Sequence, residues 1–306
     1  MGILITGIQG FIGWHLFEFL QSKGLQVAGI QRSVKRSIAS RTTTIHECDV
    51  AHEEDLKKVL LSLSPTLIFH LAAQSLPSVS WQDPQRTLRV NLIGALNLLR
   101  CVETLSLDAR VVFFGSSSEY APSTKPISEE FPLKPSSPYA LSKIASSLLA
   151  GLYHEAFETD IVVVRPFFII GPRKSGDVCS SFARGIVQVE RGEAKALPVG
   201  NLSGVRDFLD IDDAARAIWL ISQKGEAGEI YNISSGTGTP VSEVLEILKS
   251  KARADIPIQK DPLKQRPLDN PVVIGSNQKL KNLGWSPTVE LDESLSRILD
   301  YWRNAG

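Results

Sequence analysis

Tyr139 and Lys143 stand four residues apart in the run Ser137-Pro138-Tyr139-Ala140-Leu141-Ser142-Lys143. On a helix that spacing puts both side chains on one face. A phenol ionises near ~10 and a neighbouring ammonium favours its phenolate, so Lys143 is expected to lower the Tyr139 pKa until the pair works as an acid or base near neutrality. Any helix can carry such a pair. It gains weight from Gly115-Ser116-Ser117-Ser118-Glu119-Tyr120, which ends an apolar run 23 residues before Tyr139. A hydroxyl there could bind the same substrate oxygen, and Ser116 is the expected one; a serine-rich capped turn is the structural alternative.

The second chemical signal lies at the start of the chain. After the apolar Ile3-Leu4-Ile5 come Gly7, Gly10 and Gly13, and then an amphipathic stretch that Phe11 and Ile12 open. A strand, a glycine turn and a helix start form a seat for a dinucleotide pyrophosphate, held on free N–H groups and the positive end of the helix dipole. An NAD site usually has an acidic residue at the end of the next strand. Here Leu25 to Ile30 ends in Gln31-Arg32-Ser33, with Lys35 and Arg36 following. No carboxylate would repel a 2′-phosphate and Arg32 could pair with one, so NADP(H) is expected, with NAD(H) as the alternative. Asp49 and Val50 are candidates for the adenine, although Asp49 could equally cap the helix beyond it. Leu71, Ala72 and Ala73 end another strand-like run with small residues on which the middle of a cofactor could lie.

These groups need a scaffold, and the hydrophobic pattern supplies one. Strand-like runs at 2–6, 25–30, 66–71, 110–115 and 161–165 alternate with helical periodicity at 53–63, 85–105 and 139–157. That alternation predicts an α/β fold, a Rossmann-type doubly wound parallel sheet. After Arg165 the pattern loosens through Gly171-Pro172, Lys174-Ser175-Gly176 and Gly200-Asn201, then reads helical at 207–222, strand-like at 229–234 and helical at 241–252. The expected division is a cofactor-binding domain of 1–167 and 207–235, with a smaller α/β substrate-binding domain of 168–206 and 236–306.

Composition narrows the partners. The 306 residues carry 33 Lys+Arg and 33 Asp+Glu, which favours neither nucleic acid nor an anionic membrane and leaves small molecules and other protein chains. Cys48, Cys101 and Cys179 are far apart and lack metal-ligand spacing, so no metal is expected. Met1 leads directly into the first strand and no run approaches a membrane span, so a cytoplasmic protein is expected.

Taken as a set, Thr6-Gly7-x-x-Gly10-Phe11-Ile12-Gly13, His70-Leu71-Ala72-Ala73, Asn91-x-x-Gly94, Ser116-Ser117-Ser118, Ser137-Pro138-Tyr139-Ala140-x-Ser142-Lys143 and Gly171-Pro172 resemble the extended short-chain dehydrogenase/reductases that modify nucleotide sugars. The resemblance runs nearly end to end. The stretches 199–210, 27–32, 265–269, 274–277 and 283–285 are similar to members that act on GDP-linked 6-deoxy-mannose sugars. The resemblance implies a catalytic set of Ser116, Tyr139 and Lys143. It also implies that Arg206 and Arg266 hold a diphosphate, that Asp269 faces a ribose, and that Ser117, Ser118 and Asn91 lie on the substrate side. Asn91 would order backbone and water near Lys143. A homodimer joined by a four-helix bundle is implied too, and the apolar residues of 85–105 and 139–157 suit it.

Two departures shape the expected reaction. Ser118 stands where the dehydratases of this family carry a Glu that removes a sugar proton. Glu119 is adjacent but, read as a strand residue, points to the opposite face. The expectation is therefore NADPH-dependent reduction of a nucleotide-linked 4-keto-6-deoxy sugar, GDP-4-keto-6-deoxy-D-mannose to GDP-D-rhamnose, with an epimerase or dehydratase that retains its cofactor as the rival and a non-catalytic cofactor-sensing protein of the same fold as the third reading. Phe168 replaces an Asn that relatives use on the nucleotide sugar, which bears on the sugar's pose.

Overall fold

A computed structural model describes residues 2–33, 43–262 and 271–305. Lys35, Arg36, Arg266 and Asp269 therefore lie outside the described residues. The first strands are β1 (Ile3–Thr6), β2 (Val27–Gln31), β3 (Ile45–Glu47), β4 (Leu67–His70), β5 (Arg110–Phe114) and β6 (Ile161–Pro166). With the strand Ile230–Ile233 they form a seven-stranded parallel sheet in the spatial order Ile230–Ile233, β6, β5, β4, β1, β2, β3. The fold class read from the alternating pattern is the one observed.

Helices cover both faces, so the central strands are buried on each side and read as unbroken apolar runs such as Ile161-Val162-Val163-Val164. One face packs Leu16, Phe17 and Leu20 of α1 (Phe11–Ser22) with Ile3, Ile5 and Phe69. The other packs Leu56 and Leu60 of α2 (Glu53–Leu63) with Leu4, Ile68 and Val111. A third core joins Phe182, Ile186, Leu245 and Leu299 in the C-terminal part. Leu280 and Trp285 pack in the α1 core.

Thr6 pairs with Ile30 on one side and His70 on the other, so the carboxyl ends of β2, β1 and β4 finish level. Chain direction across the sheet reverses between β1 and β4, the switch point where open α/β sheets bind ligands.

Three sequence expectations change. Residues 168–206 are not loose: they contain the helix Val178–Glu190, capped by Asp177 accepting from the Ser180 N–H at 2.8 Å. Its Phe182, Ala183, Ile186 and Val187 are periodic, but Gly176, Gly185 and Gly192 mask the pattern in sequence. The stretch 207–222 begins with a strand, Phe208–Asp210, parallel to β7 (Phe168–Ile170), and turns helical only at Ile211, where Asp210 caps the Asp212 N–H. The helix expected over 85–105 is interrupted by a π turn at Arg89–Ile93, between Pro84–Leu88 and Gly94–Thr104.

Candidate active site

The helix Pro138–Phe157 carries Tyr139 and Lys143. Ser137 starts it by accepting from the Ala140 N–H at 3.1 Å, and Pro138 occupies the first position, where its missing N–H costs nothing. Both functional side chains are buried against the end of β5. Lys143 Nζ donates to the Phe114 carbonyl at 2.7 Å, two residues before Ser116. Burial moves both groups: it pushes the Tyr139 phenol up to about 12, against the pull of a hydrogen bond with Ser116, and it pulls the Lys143 ammonium down to about 8, with Glu119 opposing. Lys143 therefore does not lower the Tyr139 pKa as the spacing suggested. Its ammonium is turned to the Phe114 carbonyl, and at Tyr139 desolvation of the phenolate outweighs the Ser116 hydrogen bond.

Ser116 sits at the tip of β5 and opens a single turn of 3-10 helix, Ser117–Glu119. Its hydroxyl accepts from the Ser118 N–H at 3.1 Å, while Glu119 Oε1 accepts from the Ser116 N–H at 2.7 Å, a reciprocal capping box. Glu119 is consequently not a strand residue facing away from the site but a buried one folded beneath it. Its Oε2 accepts from Arg165 Nε at 2.8 Å and its Oε1 also takes the Ser147 hydroxyl at 3.1 Å. Arg165 goes on to donate to Tyr120 Oη at 3.0 Å, and Tyr120 donates to Asn232 at 2.8 Å. Sequence reasoning missed this network, although Ser116-x-x-Glu119 is a capping-box signature that could have shown its first bond.

Asn91 lies in the π turn and is buried. Its Oδ1 accepts from the Gln74 N–H at 2.8 Å, and its Nδ2 donates to the Gln74 carbonyl at 3.0 Å and to Ser142 Oγ at 2.9 Å. It therefore ties the backbone after β4 to the catalytic helix one residue from Lys143. Ser117 and Ser118 are half-buried beside Ser116.

The glycine turn is as tight as the sequence implied. Gly7 has φ +71°, and a Cβ on it would come within 2.9 Å of the Ala72 backbone. A Cβ on Gly13 would stand 2.5 Å from the Gly7 carbonyl oxygen, so α1 can approach β1 only without one. Phe11 and Ile12 form the first turn of α1, half-buried, with Lys174 Nζ 5.4 Å from the Phe11 ring centre. Between this turn and β3 lies a cavity of about 220 Å³ lined by Gly7, Gln31, Arg32, Asp49, Val50, Ala72 and Ala73, among others. Leu71 is half-buried nearby, its N–H on the Thr6 carbonyl at 3.2 Å. Asp49 caps a local turn, taking the Ala51 N–H at 3.0 Å, while the helix cap is His52. Gln31 and Arg86 also line the cavity, and neither was among the expected contacts.

On the C-terminal side Arg206 is nearly buried, donating to the Val205 carbonyl at 2.9 Å, with its guanidinium 5.5 Å from the centre of the Phe168 ring. Phe168 thus lies beside an arginine, its ring facing the Arg206 guanidinium. Asp207 beside it is fully buried and accepts from Ser235 N and Oγ, Gly236 N and Gly275 N at 2.7–3.1 Å. Four donors fix the loops at 234–236 and 275 against the strand that carries Arg206. Among the described residues no cluster of His, Cys, Asp or Glu is placed to hold a metal ion, and no helix is long and apolar enough to cross a membrane.

His70, at the end of β4, adds a measurable pH dependence. Thr6 Oγ1 accepts from the Ala72 N–H at 3.1 Å and is hydrogen-bonded with His70 Nδ1 at 2.9 Å. Burial, with Lys143 adding, pulls the imidazole down to about 3. The unfolded chain binds its proton near ~6.5, so the unfolded state gains protons first on acidification and stability falls between those values. From pH 7 to pH 5 this costs on the order of 2 kcal/mol. Urea unfolding of His70→Gln should show a pH 7 to pH 5 loss smaller by that amount; equal losses in both proteins would remove His70 from the account.

A parallel sheet with a glycine turn at its switch point and a Ser, Tyr and Lys set at the ends of β5 and the following helix defines an extended short-chain dehydrogenase/reductase, an oxidoreductase of nucleotide sugars. Within that class, residues 4–298 match the model of the GDP-mannose 4,6 dehydratase family, and the chain belongs to it. It is similar to the GDP-6-deoxy-D-mannose reductase of Pseudomonas aeruginosa, at 32% identity over 99% of this chain and 97% of the relative. Among solved structures it is similar to RMD from Pseudomonas aeruginosa complexed with NADPH, at 30% identity and a TM-score of 0.87 over 100% of both chains. It is as similar to the UDP-glucose 4-epimerase of Thermus thermophilus complexed with NAD, at 29% identity and 0.89 over 100% of both.

Proposed function

We propose that this chain is an NADPH-dependent reductase of a nucleotide-linked 4-keto-6-deoxy sugar, in particular of GDP-4-keto-6-deoxy-D-mannose to GDP-D-rhamnose. The state of the carboxylate beside the site carries the choice of reduction over dehydration. Ser118 stands where a dehydratase needs Glu, and both oxygens of Glu119 are engaged in the core by Arg165, Ser116 and Ser147. Neither can draw a proton from a sugar carbon.

A nicotinamide dinucleotide fits the residues present. The turn at Gly7, Gly10 and Gly13 leaves room for a pyrophosphate at the N-terminus of α1, and the cavity at Arg32, Asp49, Val50, Ala72 and Ala73 suits its adenosine end. Arg32 and the lack of a carboxylate at the end of β2 favour the 2′-phosphorylated form. The bound cofactor would supply a hydride to the sugar C4. Tyr139, its phenol held protonated at about 12, donates the proton to the forming alkoxide, and Ser116 binds that oxygen. Lys143, fixed on the Phe114 carbonyl, is assigned to the nicotinamide ribose.

Residues 1–167 and 207–235 are assigned to the cofactor, and 168–206 and 236–306 to the nucleotide sugar, where Arg206 clamps the diphosphate together with Arg266. The chain is further assigned to the cytoplasm as a homodimer. The helix Pro138–Phe157 leaves Leu141, Leu148, Leu152 and Phe157 exposed, and a second copy packing there as a four-helix bundle would cover them.

A nucleotide panel tests the base. GDP should raise the unfolding temperature of the wild-type protein, and Arg206→Ala should lose most of that rise, because only a ligand bound to the folded state stabilises it. A rise with UDP, CDP or dTDP instead of GDP would overturn the guanine assignment.

A further inference from the structure

Glu119 is fully buried, and its two oxygens are used differently. Oε2 accepts from Arg165 Nε at 2.8 Å, which offsets the charge. Oε1 accepts twice, from the Ser116 N–H at 2.7 Å and from the Ser147 hydroxyl at 3.1 Å. Those donors belong to different elements: Ser116 opens the turn after β5, and Ser147 lies one turn beyond Lys143 on the helix Pro138–Phe157. A capping box needs only the first bond. Stability does not need the ion pair either, since well-packed apolar residues of similar volume commonly replace one without loss. Neither reason accounts for the bond to Ser147. Gly115 makes room for it: a Cβ there would overlap Glu119 Oε1 and stand 3.0 Å from Ser147 Oγ and 3.1 Å from Arg165 Cγ.

We infer that Glu119, Ser147 and Gly115 form a clamp that positions the reacting groups, one carboxylate oxygen fixing the Ser116 turn against the helix that carries Tyr139 and Lys143. The inference deepens the function proposed above and rests on its assignment of Ser116 and Tyr139 to the substrate oxygen. Ser116 is hydrogen-bonded with Tyr139, so the clamp sets the register in which the two hydroxyls meet one alkoxide. The carboxylate also acts through its charge. Burial lowers the Lys143 pKa and Glu119 opposes it; burial raises that of Tyr139 and Glu119 adds to it. The other charged and titratable groups around the clamp are Arg165 on β6, with Tyr120 and Glu129 beyond it, and His70 on β4, which feels the Lys143 charge.

Single-turnover reduction of the keto sugar, beside NADPH titration across pH, tests the clamp. Ser147→Ala removes one bond and strands no charge, and Gly115→Ala pushes the clamp apart. Each should slow reduction by about 10- to 100-fold, with the NADPH dissociation constant and the half-saturating sugar concentration within about threefold of wild type. Glu119→Gln with Arg165→Met keeps an acceptor for Ser116 and Ser147 but removes the charge. Lys143, assigned to the nicotinamide ribose, then loses its proton at lower pH, so NADPH affinity should fall off about one pH unit below wild type. Reduction within about twofold of wild type in both single variants would show that the clamp is idle. Rate losses matched by equal weakening of both ligands would make it structural only. Either result overturns the inference, as does a double variant whose NADPH affinity follows pH as wild type does. Wild-type protein that binds NADPH but leaves the keto sugar unreduced would overturn the proposed function instead, and the pH dependence of NADPH binding would still decide the role of the Glu119 charge.

Discussion

Tyr139→Phe should lower turnover by about 10²- to 10⁴-fold, the range expected when a positioned proton donor is removed, and should leave cofactor binding within about twofold of wild type. The ring is buried and phenylalanine fills the same space, so the fold should be kept. What disappears is the phenolic proton. Burial holds that phenol up to about 12, so at neutral pH it is protonated and able to donate as the alkoxide forms. Single-turnover kinetics beside a cofactor titration would separate chemistry from binding. Turnover within a few-fold of wild type would show that the proton comes from elsewhere.

Glu119→Ala should cost about 3–5 kcal/mol of stability, the range for removing one partner of a buried ion pair. Arg165 is 3% exposed in its side chain and would keep its charge with only Tyr120 and the Glu129 carbonyl as acceptors. The loss should reach the site as well, since Glu119 also holds the Ser116 N–H. The double variant Glu119→Leu with Arg165→Met should recover most of the stability, because it removes the stranded charge and fills the space. It should not recover turnover. Denaturant unfolding of wild type, Glu119→Leu, Arg165→Met and the double variant gives the coupling directly, and single losses below about 1 kcal/mol would mean that the pair is not isolated from water.

What could be read from the sequence was what is local. The glycine turn, the Ser137-Pro138 helix start and the Tyr139 and Lys143 pair each sit within a few residues, where spacing maps onto geometry. The parallel sheet was legible because buried strands such as Ile161–Val164 have no polar alternation to confuse them. Pairings across the chain were not legible. Arg165 meets Glu119 across 46 residues and Asp207 meets Gly275 across 68, and nothing local marks either carboxylate as buried. Strand alternation past the end of β5 places Glu119 on the wrong face, whereas Ser116 caps a turn that swings the carboxylate inward. The raised Tyr139 pKa was hidden for a related reason. Helical spacing shows which residues share a face, while the balance between burial and a neighbouring charge depends on what covers that face.

The most direct test is to follow nicotinamide absorbance while purified enzyme is mixed with GDP-4-keto-6-deoxy-D-mannose and NADPH, then to analyse the sugar. The account predicts one NADPH oxidised for each keto group reduced to a hydroxyl, with no net dehydration of GDP-mannose. GDP-mannose converted to the keto sugar without net change in the cofactor, or the keto sugar left intact with NADPH unoxidised, would contradict it.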